Sequence, residues 1–105
     1  MTQGIRVSAI ILLAAFIAAP ALAQSSGADL YKKCVSCHGA DGLATSTVAQ
    51  NMKVLSFKDP AMLKASDARF FAATKDGKGK MPAYKGKMTD AQIKEVIAYI
   101  RKLQK

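Results

Sequence analysis

Cys34-Val35-Ser36-Cys37-His38 gathers both cysteines and the single histidine of the 105-residue chain into five positions. Two thiols two residues apart, followed at once by an imidazole, form the sequence of covalent haem attachment. The chemistry explains the spacing. Each thiol must add across one of two vinyl groups on a single porphyrin edge, and two intervening residues let both sulfurs reach it. The next residue can then bring its ring under the iron. Three other chemistries use parts of this pattern. A redox-active Cys-x-x-Cys expects a βαβ setting, which the sequence lacks. A plain disulfide suits an exported protein but leaves His38 without a role. A zinc site needs four ligands, and no further Cys or His exists to complete one.

With no second histidine, the natural sixth ligand within the chain is a methionine, whose soft thioether raises the reduction potential. Met52, Met62, Met81 and Met88 follow the motif. Met88 precedes a helix cap at Thr89 and can pack on Ile93 as a hydrophobic staple. Met62, near the start of a short helix, reads as packing filler. Met52 sits in the loop after His38 and is a weaker competitor. Met81 is the best candidate. It follows the turn Gly77-Lys78-Gly79-Lys80, and Pro82 biases it toward an extended backbone, so its side chain can project from a loop. The 43 residues from His38 to Met81 are enough to wrap both faces of a porphyrin.

The elements that must position these groups are helical. Ser26 can cap a first helix, with Asp29 in the capping-box position, that carries Leu30, Tyr31 and Cys34. The stretch 39–56 shows no sustained period and reads mainly as loop. Asp59-Pro60 fits a short helical start. Ser66 and Asp67 open a helix through about Lys75 that Gly77 stops. Thr89 and Gln92 make a capping box for a last helix. Its apolar stripe is Ile93, Val96, Ile97, Ile100 and Leu103, and Arg101, Lys102 and Lys105 complement the dipole at its end. No strand is convincing, which gives an all-α fold of three or four helical segments.

The first 23 residues read differently. Arg6, the apolar run from Val7 to Ala19, Pro20 and Ala21-Leu22-Ala23 form a signal peptide expected to be cut after Ala23. An uncleaved anchor is the alternative, although Val7 to Ala23 spans only 17 residues, at the short limit for a bilayer. Residues 24–105 form one domain of 82 residues without Trp, and a core that small needs a staple, metal or cofactor. They hold 15 Lys and Arg against 7 Asp and Glu, a net charge of +8. The charges are scattered, so no nucleic-acid-binding arm is indicated.

These residues resemble the class I c-type cytochromes, especially small bacterial periplasmic ones. The likeness runs across nearly all of 26–105. It rests on Leu30-Tyr31-Lys32-Lys33-Cys34, His38-Gly39 with Asp41-Gly42, Gly77-x-Gly79-x-Met81-Pro82-Ala83-Tyr84, and Thr89-Asp90-x-Gln92-Ile93 with Val96-Ile97-Ala98-Tyr99-Ile100. It implies helices wrapped around one covalent haem c held by Cys34 and Cys37, with His38 and Met81 as axial ligands. It implies that the first and last helices cross, bringing Leu30 or Tyr31 to Val96 and Tyr99. The proline whose carbonyl often orients the axial histidine in that family is missing, since none occurs between His38 and Pro60. Another backbone carbonyl, from 44–48, is expected to take its place.

The implied activity is electron carriage by a periplasmic monomer rather than catalysis. Its expected partners are acidic redox proteins: a donor dehydrogenase or reductase complex and an acceptor oxidase or peroxidase. Lys32, Lys33, Lys78, Lys80, Lys85 and Lys87 flank the two ligand segments and are expected to surround the haem-bearing side. A haem enzyme or gas sensor would need an open iron position and a distal polar group. A subunit of a larger oxidase or dehydrogenase is the other alternative.

Overall fold

The computed structural model describes Gly4 and residues 25–105; the signal peptide and cleavage site expected in 1–23 lie outside the described residues. Among the described residues six α-helices follow in order: α1 (Gly27–Tyr31), α2 (Val35–His38), α3 (Thr47–Asn51), α4 (Pro60–Lys64), α5 (Asp67–Asp76) and α6 (Asp90–Leu103). A 3-10 turn, Lys32–Cys34, joins α1 to α2 without a loop. The thiols and His38 are therefore delivered by one run of helical backbone. Only isolated β-bridges occur among the described residues, and the all-α expectation holds.

Local chemistry explains the helix starts. The Ser26 hydroxyl accepts from the Asp29 N–H at 3.2 Å. The Asp29 carboxylate takes the Ser26 hydroxyl rather than the Ser26 backbone, so only half of the expected capping box forms. The box on α6 is complete: Gln92 N–H donates to the Thr89 hydroxyl at 3.1 Å, and Thr89 N–H donates to the Gln92 side chain at 2.9 Å. Asp59 caps α4 and Ser66 caps α5.

Helix α3 breaks the stretch expected to be mainly loop. Ser46 caps it. At its other end Lys53 N–H reaches the Gln50 carbonyl and Val54 N–H reaches the Ala49 carbonyl, with Lys53 at φ +55°. This is a Schellman ending with lysine where glycine is usual. The sequence therefore carries no stop signal for α3.

The core gathers on α6. Ile93, Val96, Ile97 and Ile100 are buried with Leu30, Tyr31, Phe57, Phe70 and Met88. Helix α1 packs across α6, and the rings of Tyr31 and Tyr99 lie 5.1 Å apart, as the family resemblance implies. Gly27 makes the crossing possible: a Cβ there would sit 2.5 Å from the Glu95 carbonyl oxygen and 3.1 Å from the Tyr99 Cβ. Helix α5 is tied along α6 at both ends, by Lys75–Asp90 (3.1 Å) and by Arg101–Asp67 (2.9 Å). Among the described residues, no helix is long and apolar enough to cross a membrane.

Candidate haem site

A cavity of about 360 Å³ opens beside α2, and Cys34, Cys37, His38 and Met81 all line it. Residues 43 positions apart in sequence thus share one space. Apolar walls come from Val54, Leu55, Ala65, Phe70 and Pro82. Met52 and Met62 also reach the lining. Met88 does not; it is 5% exposed and belongs to the core with Ile93, as its staple position predicts.

Cys34 is buried and Cys37 half-buried, and no disulfide joins them. Burial pushes the Cys34 thiol up to about 11; Lys33 opposes this and Cys37 adds to it. A dithiol redox centre needs a thiol pushed the other way, so Cys34 is poorly suited to that chemistry.

Burial also pushes the His38 imidazole below its ordinary value, which favours the uncharged ring. The expected carbonyl from 44–48 does not orient the ring. Ala44 instead donates its own N–H to the His38 carbonyl at 3.0 Å, and Nδ1 of His38 is buried without a hydrogen-bond partner. Phe57 lies on the ring, with centroids 4.7 Å apart and planes 14° from parallel. Sequence reasoning missed Phe57. The one available signal was that it is the only aromatic residue between Tyr31 and Phe70.

Met81 sits at the end of a tight reversal. Lys78 and Met81 exchange two backbone hydrogen bonds, at 3.1 and 2.9 Å, around Gly79-Lys80. Gly77 is needed twice at this point. Its φ is +78°, and a Cβ there would meet the Met81 carbonyl oxygen at 2.8 Å and the Ala83 nitrogen at 3.0 Å. The chain then returns along α5, with Tyr84 N–H donating to the Thr74 carbonyl at 3.0 Å. The Tyr84 hydroxyl approaches the Lys33 carbonyl at 3.4 Å, bridging the methionine loop to the cysteine segment.

Two thiols from one helical run, an imidazole and a thioether, set among apolar walls, fit a covalently held haem. The rim is basic: Lys33, Lys78 and Lys80 line it as expected, and Lys53 and Arg69 join them. Lys32, Lys85 and Lys87 were expected on this side but are not part of the lining.

Comparison with known proteins agrees with this geometry. Residues 22–100 match the family described as cytochrome C oxidase, cbb3-type, subunit III. The chain is 34% identical to cytochrome c6 of Nostoc sp. over 84 residues, covering 77% of this chain and 73% of that protein. It is 30% identical to cytochrome c6 of Leptolyngbya boryana over 81 residues, covering 74% and 88%. The solved structure of the KustC0563 c-type cytochrome superimposes with a TM-score of 0.68 at 29% identity, covering 76% of this chain and 99% of that one. Helices of this arrangement, a cavity with this donor set and relatives of this kind converge: the chain belongs to the small class I c-type cytochromes, all-α proteins of electron transport with one covalently bound haem c.

Proposed function

We propose that this cytochrome is a periplasmic shuttle, exported by its first 23 residues, that moves single electrons between acidic redox partners. Cys34 and Cys37 would anchor the haem as thioethers, and His38 and Met81 would supply the imidazole and thioether that hold its iron. The observation that carries this reading is that His38 and Met81 line the cavity that Cys34 and Cys37 open into. Bound haem c supplies an iron that gains and loses one electron. The chain would keep the same two side chains at that iron in both states, which would limit rearrangement, and its apolar walls would keep water away. Lys33, Lys53, Lys78, Lys80 and Arg69 offer a positive rim for docking. With both ligand positions supplied by His38 and Met81, no position at iron would be left for a substrate, which fits a carrier rather than an enzyme.

Met52 shares the cavity, so ligation is the point to test. The absorption band that reports thioether bonding to ferric iron should vanish in Met81→Ala and persist in Met52→Ala, Met62→Ala and Met88→Ala. Reduced Met81→Ala should also bind carbon monoxide rapidly. Loss of the band in Met52→Ala alone would move the sixth ligand to the segment after α3. The matching family description favours a second reading, a haem subunit bound non-covalently in an oxidase. Copurification with an oxidase from native membranes would establish that reading, and recovery of the free protein in the periplasmic fraction would exclude it.

A further inference from the structure

An axial imidazole needs something to set its plane, because rotation about the bond from Cβ to the ring is soft and broad. Histidines that ligate metals ordinarily solve this with a hydrogen bond from the second ring nitrogen, which also strengthens the ligand. His38 has no such bond: its Nδ1 is buried and unpartnered. We propose that Phe57 is the positioning residue for His38, and that its ring face, not a hydrogen bond to Nδ1, sets the plane of the imidazole.

The inference rests on His38 being an iron ligand, and it goes beyond that assignment. Phe57 is well built for the task. It is 4% exposed, and its ring lies 14° from the His38 plane at 4.7 Å. Its backbone is pinned on both sides: the N–H donates to the Gly42 carbonyl at 2.9 Å, and the carbonyl accepts from the Gln104 side chain at 2.9 Å. Its ring meets Phe70 edge-on at 6.2 Å. Phe70 in turn lies 4.4 Å beneath the Arg101 guanidinium, which Asp67 and the Ala65 carbonyl fix at 2.9 and 2.6 Å. A supported stack therefore runs from the end of α6 to the imidazole. An aromatic face restrains rotation but accepts no conventional hydrogen bond, so orientation and ligand strength, coupled in a hydrogen-bonded histidine, are separated here.

The test is nuclear magnetic resonance of the haem-loaded protein. In the ferric form the spread of the haem-methyl resonances follows the planes of the axial ligands. Phe57→Leu should shift that pattern. Phe57→Tyr, which keeps the face, should retain it, and so should Ile93→Val, which trims the core away from His38. A wild-type pattern in Phe57→Leu would overturn the inference while leaving His38 as ligand. Should Phe57→Leu fail to hold haem, the reduced wild-type protein decides. Cross-relaxation between the two rings, with no coupling from the Nδ1 proton to a carbonyl, supports the role of Phe57; coupling to a carbonyl overturns it. His38 resonances unaffected by the iron would overturn both assignments.

Discussion

At the scale of single residues, Tyr31 links the core to the attachment segment. It is 2% exposed, and its hydroxyl donates to the Gly39 carbonyl at 2.6 Å, one residue beyond His38. Burial raises its phenol well above the ordinary value of 10.0, with smaller contributions from Cys34, Tyr99 and Asp41. The folded state therefore favours the neutral phenol. That contribution to stability is fully present below about pH 10 and is lost as pH rises toward the raised folded value. Tyr31→Phe keeps the packing but leaves the Gly39 carbonyl unpaired. It should cost about 1–2 kcal/mol in urea unfolding at pH 7 and flatten the loss of stability above pH 10. Met88→Ala belongs at the same scale. Removing a side chain 5% exposed should cost about 2–5 kcal/mol while leaving the thioether band intact.

At the scale of elements, the chain enters the left-handed region at both Lys53 and Gly77. Lys53 closes α3 at φ +55°, a conformation that costs an L-residue roughly 1–2 kcal/mol. Glycine avoids that cost but gives back part of it as chain entropy. Lys53→Gly should therefore raise stability by about 0.5–1 kcal/mol in the same unfolding measurement. Gly77→Ala should act in the opposite direction. The added methyl is both in the wrong backbone region and 2.8 Å from the Met81 carbonyl oxygen. It should cost roughly 1–3 kcal/mol, and because it displaces the Met81 reversal, it should weaken the thioether band as well. Unfolding followed together with the absorption band separates the two effects.

At the scale of the whole molecule, charge governs encounter. Residues 24–105 carry +8, and two ionised haem propionates would lower this to roughly +6. Lys33, Lys53, Lys78, Lys80 and Arg69 concentrate that charge around the cavity, whereas Lys102 and Lys105 lie exposed at the end of the chain outside its lining. Steering of this kind raises association rates by about 10- to 1000-fold at low salt. Electron-transfer rates with an acidic partner should fall steeply as ionic strength rises. They should fall further in Lys78→Glu with Lys80→Glu than in Lys102→Glu with Lys105→Glu. Rates flat with salt, or a larger effect from the terminal pair, would assign docking to apolar contact instead.

Much of this protein is determined by neighbours in sequence. The spacing of Cys34, Cys37 and His38 specifies the attachment chemistry by itself, because one helical run carries all three. Thr89, Gln92 and the stripe from Ile93 to Leu103 specify α6, because caps and helical periods are local. The glycine turn and Pro82 place Met81 on a loop for the same reason. What the sequence leaves open depends on contacts between distant segments. Nothing near His38 in the chain reveals that Phe57, 19 positions on, covers its ring in place of a carbonyl. Lys53 gives no sign of ending a helix for a different reason: the ending is local, but it lacks the glycine that usually marks it. Met52 and Arg69 enter the cavity, while Lys32, Lys85 and Lys87 are left off its lining. Local spacing decides which groups exist; packing of α5 and the intervening loops against α1 and α6 decides which of them face the same space.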